Sequence, residues 1–369
     1  MTVEFKTTGH QRIKEQLSFA LENEKLGHAY LFSGEGGVGK FSVALEFAMA
    51  YLCRGASTGS AAEVKPCGEC ESCRSIKKYN NPHFQYLFPL SMEANLRKND
   101  DFTQDGWEFV REKTLERINE PYSMITDYSA PIYVSRIRNM VDTILSAKGK
   151  TACIIDGIDT LTDKDLNAML KTLEEPPAGA LIILLARFSV LPTIRSRCIA
   201  YKFGAPKNEE VKAFLKTKLP QKSDEEISYL AQISQNNIGV ALQKLSQDGA
   251  KTQKLAAEFA EIVFNQKSDF AKMMSLEKFA NGLGRDFDLS QQVLVYFLSQ
   301  IRANFLQTAD FSQAKPEINI ASFRNFEQAT QCCDAIDKSI LSMKRSSPLS
   351  MVFADLTIKL TEIFDEQRK

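Results

Sequence analysis

The sequence predicts an α/β fold, a parallel sheet with helices, followed by segments that are wholly helical. Three observations carry that prediction. A short apolar run, His28–Ser33, leads into a glycine-rich loop and then a buried-type helical stretch, Phe41–Leu52. Two further apolar runs, Thr151–Ile155 and Leu181–Leu185, alternate with helical patterns. From about residue 252 onward every segment has helical spacing. Strands alternating with helices imply parallel strands covered on both faces, a three-layer arrangement.

The first helix is expected over residues 10–26, where Ile13, Leu17, Ala20 and Leu21 fall at helical spacing. The loop after the first strand reads Gly34-Glu-Gly-Gly37-Val-Gly39-Lys40-Phe41. It meets the phosphate-binding pattern G-x-x-x-x-G-K-[ST] at Gly34, Gly39 and Lys40, and breaks it at Phe41. In such a loop the glycines let backbone N–H groups close around phosphate oxygens. The lysine reaches the outer phosphates, and the Ser/Thr hydroxyl holds Mg²⁺. Phenylalanine has no oxygen to give a metal. The loop therefore reads as built to hold a nucleotide, or as descended from one that did, and poorly built to hydrolyse it. Lys40 reads equally as a phosphate ligand or as a helix-start lysine left over from an active ancestor. Ser42 stands one residue late, turned by about 100° around the helix, so its hydroxyl is expected to face away from phosphate.

Cys67-Gly-Glu-Cys70-Glu-Ser-Cys73 places three thiols at x₂ spacings, and Cys53, at the end of the preceding helix, can return as a fourth. Four thiolates around Zn²⁺ make a closed, tetrahedral, structural site. Redox C-x-x-C chemistry is the alternative, but no thioredoxin-like βαβ pattern surrounds the cluster. Cys153 and Cys198 read as core residues, and Cys332-Cys333 sit mid-helix without need of a function. Residues 91–128 are polar and mixed. They read as an inserted surface segment, partly helical over Trp107–Ile118, with no chemistry assigned.

Ile132–Leu145 reads as a helix. The strand that follows ends in Asp156, and a carboxylate at the carboxyl end of a central strand is where a nucleotide-bound Mg²⁺ is approached. Asp163–Glu175 is an amphipathic pattern with Leu166, Met169, Leu170 and Leu173 on one face, stopped by Pro176-Pro177. After Gly204 come short helical patterns at 208–218, 224–234 and 240–245, then longer ones at 291–306, 322–343 and 350–364.

Composition bounds the rest. A chain of 369 residues is long enough for two or three domains. Lys plus Arg and Asp plus Glu are 46 each, and this zero net charge argues against gripping nucleic acid alone. Met1–Thr8 is polar and charged, and no apolar run approaches a membrane span, so no membrane is expected as a partner and the expected location is the cytoplasm. There the eight cysteines are expected to be reduced or metal-bound.

On these residues the chain resembles the AAA+ subunits of bacterial DNA polymerase III clamp loaders, most closely the delta-prime subunits. The matching runs are His28–Gly34, the loop to Lys40, the four-cysteine cluster, Leu166–Pro177, and Leu191–Cys198. Ser196-Arg197-Cys198 is the clamp-loader signature within the last of these. The resemblance implies a RecA-like domain over 1–203 with a zinc module (53–73) and the insertion (91–128). It implies a helical lid over 204–250 and an all-α collar and oligomerisation domain over 251–369. It also implies a place in the DNA polymerase III holoenzyme, in a ring that opens the sliding clamp and loads it onto primed DNA. The partners implied are gamma/tau and delta subunits, the sliding clamp, and primer-template DNA within the complex. Arg197 is implied as an arginine finger used in trans on a neighbour's ATP, while Arg195 is a solvated or DNA-facing charge. The cofactors implied are structural Zn²⁺ and ATP or ADP at a degenerate site of Gly34, Gly37, Gly39, Lys40 and Asp156; the Mg²⁺ position lacks its hydroxyl.

Departures from the family pattern fall on one side of the chemistry. Gly157 stands where active members carry a water-activating glutamate. Ala186-Arg187 stands where they place a hydroxyl or amide, and Val240, in Ile238–Leu242, replaces the arginine of their Gly-x-Arg-Ala-Leu. With Phe41, these losses beside a kept Arg197 describe a subunit that does not itself hydrolyse ATP. Two alternatives stand beside it: an active gamma/tau-like motor subunit, and a nucleotide-binding regulatory protein outside replication.

Overall fold

The structure is a computed structural model. It describes residues 7–54, 66–98, 101–125, 130, 132–161, 172–188, 190–244, 247–266, 268–284, 287–308, 318, 323, 325–343 and 348–365. The chain divides into two compact units, Met1–Lys218 with Asn237–Gly239, and Leu219–Asn236 with Val240–Lys369.

Among the described residues the first unit is built on five parallel strands: β1 (Ala29–Ser33), β2 (Phe84–Leu87), β5 (Thr151–Asp156), β6 (Ala180–Ala186) and β7 (Ile199–Lys202). Their order across the sheet is β2-β5-β6-β1-β7. A small antiparallel pair, β3 (Arg97–Lys98) and β4 (Asp101–Phe102), lies apart from it. The central strands are apolar without a break because both faces are covered; every residue of β5 and β6 is buried. Alternate side chains go to opposite faces. Tyr30, Phe32, Ile154, Ile183 and Leu185 join one core, and Leu31, Cys153, Ile155, Ile182 and Leu184 join the other.

The helices complete the three layers. On the first face lie α1 (Gln11–Glu22), α2 (Lys40–Leu52) and α3 (Glu71–Lys77), which contribute Leu17, Phe47 and Ile76. On the second lies α5 (Val134–Ser146), which contributes Ile137, Met140 and Ile144. The predicted strands and helices are found within a few residues of their expected ends. The edge strands β2 and β7 are not predicted, being only four residues each. The expected helix over 163–175 lies mostly outside the described residues, including Leu166, Met169 and Leu170; Leu173 is buried.

The described residues of the segment 91–128 differ from the surface insertion expected of it. Its helix α4 (Gln104–Asn119) starts on a Thr103 cap, whose hydroxyl accepts from the Gly106 N–H. Phe102, Val110 and Ile118 are buried in the first core. The polar sequence hid a narrow buried stripe at Gly106, Val110, Thr114 and Arg117–Ile118, one helix turn apart each time.

The second unit is helical: residues 224–233, 247–264, 269–283, 287–308, 326–343 and 349–365. Ser223 and Glu226 close a capping box at the first of these. Phe259 sits at the centre of the unit's core, with Phe279, Phe297 and Phe353 ring centroids at 5.7, 5.1 and 5.2 Å. Cys332 is buried in this core and Cys333 is half-buried against it. Among the described residues no helix is long and apolar enough to cross a membrane.

Candidate functional site

The glycine loop leaves the carboxyl end of β1, between β6 and β7, where ligands of open parallel sheets bind. Gly34, Gly37 and Gly39 take φ values of 150°, 81° and 104°. Five consecutive carbonyls, residues 34–38, each accept a hydrogen bond. Lys40 Nζ donates to those of Gly34 (2.6 Å) and Glu35 (2.5 Å). Asn237 Nδ2 donates to that of Gly36 (2.7 Å), the Gly239 N–H to that of Gly37 (3.0 Å), and His10 Nε2 lies 2.7 Å from that of Val38. The chain itself thus fixes the loop's shape.

Lys40 is buried, and burial pulls its ammonium down to about 8 from the ordinary 10.5, against the pull of Asp156. Between those two pH values the unfolded chain holds the extra proton, so stability rises with pH. That difference is worth up to roughly 3 kcal/mol. Urea unfolding at stepped pH from 8 to 10.5 should show the rise, and Lys40→Met should flatten it; parallel curves for the two proteins would contradict this.

The metal side of the loop holds a cation already, and it comes from the segment with no assigned chemistry. Arg117 Nη2 lies 3.2 Å from Asp156 Oδ2, both side chains being 10% exposed. Its Nε donates to Tyr86 Oη (3.2 Å), and Nη1 donates to the Ser123 carbonyl and to Ser123 Oγ (2.9 Å). The guanidinium carbon stands 4.7 Å from the centre of the Phe41 ring. Phe41 in turn packs on Tyr86 at 4.5 Å, Tyr86 on Phe88 at 4.9 Å, and Phe88 under the buried Arg136 at 5.3 Å. Burial pushes the Asp156 carboxyl above its usual range, with Arg117 and Lys40 opposing that push. Arg117 is held above its own range by Tyr86 and Asp156, although burial works the other way.

Mg²⁺ does not fit these residues. Phe41 offers no oxygen, and Asp156 already binds a guanidinium. A dication about 4 Å from that charge would be repelled by roughly 8 kcal/mol at an effective dielectric of 20. The neighbouring positions agree. Gly157 has φ 79°, and a Cβ there would lie 2.7 Å from Pro89 Cγ, so a glutamate cannot simply be restored. Asp159 Oδ2 accepts the N–H groups of Arg187 (3.1 Å) and Phe188 (2.7 Å), holding the chain after β6. Ala186 is buried and apolar. Ser42 turns its hydroxyl to Thr7 Oγ1 at 2.6 Å. Val240 lies in the helix Ile238–Gln243.

Arg197 lies at the other end of the sheet. β1 and β7 run parallel with Tyr30 opposite Ile199 and Ser33 opposite Lys202. Arg197 precedes β7 and is therefore level with the start of β1, roughly 20 Å from Gly34 at 3.3 Å per residue. Its side chain is 33% exposed; Nη2 lies 2.5 Å from Glu174 Oε1, and Nη1 donates to the Thr193 carbonyl at 2.7 Å. Arg195 is exposed.

The structure brings all four predicted cysteines together. The Sγ atoms of Cys53, Cys67, Cys70 and Cys73 lie within 4.8 Å of one another, with three pairs at 3.5, 3.8 and 3.9 Å. A tetrahedron of Zn–S bonds of 2.3 Å has edges of about 3.8 Å, so the donor set fits zinc. Backbone N–H groups of Cys67, Cys70 and Cys73 point at Sγ of Cys53, Cys67 and Cys70. Burial works against the Cys70 thiolate, yet the backbone N–H groups of Cys73 and Arg54 and the thiols of Cys67 and Cys73 bring the group down to about 6. Cys153 is buried in the sheet and Cys198 is half-buried.

Arg117, Tyr86 and Arg136 are the site residues that sequence reasoning missed. The available signal was a charged residue on the buried stripe of an otherwise polar helix.

The family described as DNA polymerase III, delta subunit, matches residues 9–207. The DNA polymerase III subunit tau/gamma of Haemophilus influenzae is 29% identical over 236 residues, 62% of this chain and 28% of that protein. The DNA polymerase III subunit delta' of Pseudomonas aeruginosa is 24% identical over 232 residues, 62% of this chain and 58% of that protein. The delta' subunit of Haemophilus influenzae is 28% identical over 212 residues, 57% of this chain and 53% of that protein. The chain thus spans less than two thirds of these relatives' lengths. The matched family region covers the sheet, the glycine loop, the cysteine cluster and Arg197, and this chain belongs to the DNA polymerase III delta subunit family, with delta' and tau/gamma subunits as its relatives.

Proposed function

We propose that this chain is a delta-prime-like subunit of the DNA polymerase III clamp loader, one that does not hydrolyse ATP itself and lends Arg197 to a neighbouring subunit's ATP. The observation that carries the reading is the separation of the two halves of the chemistry. The metal corner of its own loop is closed by Phe41 and Arg117, while Arg197 lies roughly 20 Å away at the opposite end of the sheet. An arginine so placed serves only a phosphate brought by another chain.

In this reading the RecA-like module over 1–203 is followed by a helical lid (204–250) and a collar (251–369) that joins the ring. The four cysteines hold a structural zinc, and the ring acts on the sliding clamp and primed DNA in the cytoplasm. ATP or ADP at Gly34, Gly37, Gly39 and Lys40 has a structural role only. The competing reading is a gamma/tau-like motor, and its test is direct. The isolated chain should release phosphate from ATP no faster than its Lys40→Ala variant; turnover above that control selects the motor.

A further inference from the structure

We propose that Arg117 is a built-in cation which takes the place of a divalent ion beside Asp156, and that α4 with the turn to Ser123 thereby holds the nucleotide module in one metal-independent state. Nucleotide phosphate bound at this loop is bound without a divalent cation.

The guanidinium is held by groups from four separate parts of the chain. Tyr86 comes from β2, Asp156 from β5, Ser123 from the turn after α4, and the Phe41 ring from α2. Arginine suits the position because one planar fork can reach three acceptors while its face lies on a ring. Phe41 then has a reason of its own. A threonine there would offer an oxygen to a metal but no face to a guanidinium, so Phe41 and Arg117 form a matched pair. The charges bearing on this corner are the cations Lys40, Arg117 and Arg187 and the carboxylates Asp156 and Asp159. Two negative charges already face three positive ones, leaving no excess to draw in a dication.

The carrier of Arg117 is docked as part of the core. A Cβ on Gly106 would lie 2.2 Å from the Leu96 carbonyl oxygen, so α4 seats directly on the turn before β3. The Thr103 N–H and hydroxyl both donate to that same carbonyl at 3.1 Å. Val110 and Ile118 are buried on the same side. The segment therefore acts as a fixed internal effector, present whatever the nucleotide state.

The test uses the full chain with a fluorescent ATP analogue, titrated once with excess Mg²⁺ and once with EDTA. The wild-type curves should coincide within about twofold. Phe41→Thr combined with Arg117→Gln returns an oxygen and frees Asp156, and should make binding at least tenfold tighter with Mg²⁺. Wild-type binding that needs Mg²⁺ and loses that need in Asp156→Asn would overturn the proposal, as would a folded double variant indifferent to Mg²⁺. Thermal unfolding gives a second, independent measure. Arg117→Met and Asp156→Asn should each lower Tm, and together by less than the sum, because removing both partners leaves no buried charge unpaired. Additive losses would show that the two are not partners. The inference deepens the part of the proposed function that closes the chain's own metal corner; none of these readouts involves Arg197 or another subunit, so its failure leaves the trans role of Arg197 to be tested on its own.

Discussion

Replacing Arg197 by alanine should cut ATP turnover at the interface it faces by about 10³-fold or more, while the complex still assembles. Position argues for so large an effect. The side chain is too far from its own loop to act there, and its neighbours keep it ready at the surface. The contact with Glu174 leaves the two side chains 33% and 47% exposed. An ion pair so exposed is worth about 0–1 kcal/mol. Leaving Glu174 for a phosphate therefore costs little beside the roughly 4 kcal/mol that a 10³-fold rate effect represents. Two companions sharpen the result. Arg197→Lys should recover little, because an ammonium lacks the planar fork. Glu174→Gln should change turnover by less than about tenfold, the limit that a weak pair sets. Steady-state phosphate release by the complex reconstituted with an ATPase-competent partner measures all three. Turnover unchanged in Arg197→Ala would sink the trans role.

Much of this architecture was legible in the sequence because its signals are local. An unbroken run such as Leu181–Leu185 has one physical solution, a strand covered on both faces, and β6 is buried along its whole length. The glycine loop and the cysteine spacings announce themselves by residue type, and the four thiols do converge. The metal corner was legible only as a loss. Phe41 showed that the hydroxyl was gone, but what replaced the cation depended on Arg117, seventy-six positions away in the chain. No local rule connects them. The guanidinium reaches Asp156 only because α4 buries a stripe too narrow to stand out from its charged neighbours. The edge strand β2 escaped notice for a related reason: its four residues matter for where they carry Tyr86, which touches both Phe41 and Arg117. Phe41 alone reads as damage. With Arg117 and Tyr86 around it, Phe41 is one wall of a packed site.

Chain purified without added metal should carry about one zinc per molecule, and Cys73→Ser should lose it with a fall in stability of about 3 kcal/mol. Two magnitudes compete in setting that number. A free zinc finger draws roughly 10–16 kcal/mol of its folding from the metal, because nothing else holds it together. Here α2 and α3 are already held by the sheet: Phe47, Cys73 and Ile76 are all 0% exposed in the same core. What the metal adds is a closure. It ties Cys53 at the end of α2 to Cys67, fourteen positions on, and to Cys70 and Cys73 at the start of α3. A cross-link closing a loop of about that length is worth roughly 3 kcal/mol. The smaller figure governs, and the first unit should stay folded without zinc while the four-cysteine cluster loosens. Elemental analysis, thiol titration and denaturant unfolding of wild type and Cys73→Ser decide it. Four freely titrating thiols and no bound zinc would refute the site. Complete unfolding on zinc removal would show instead that α2 and α3 depend on the metal as a free finger does.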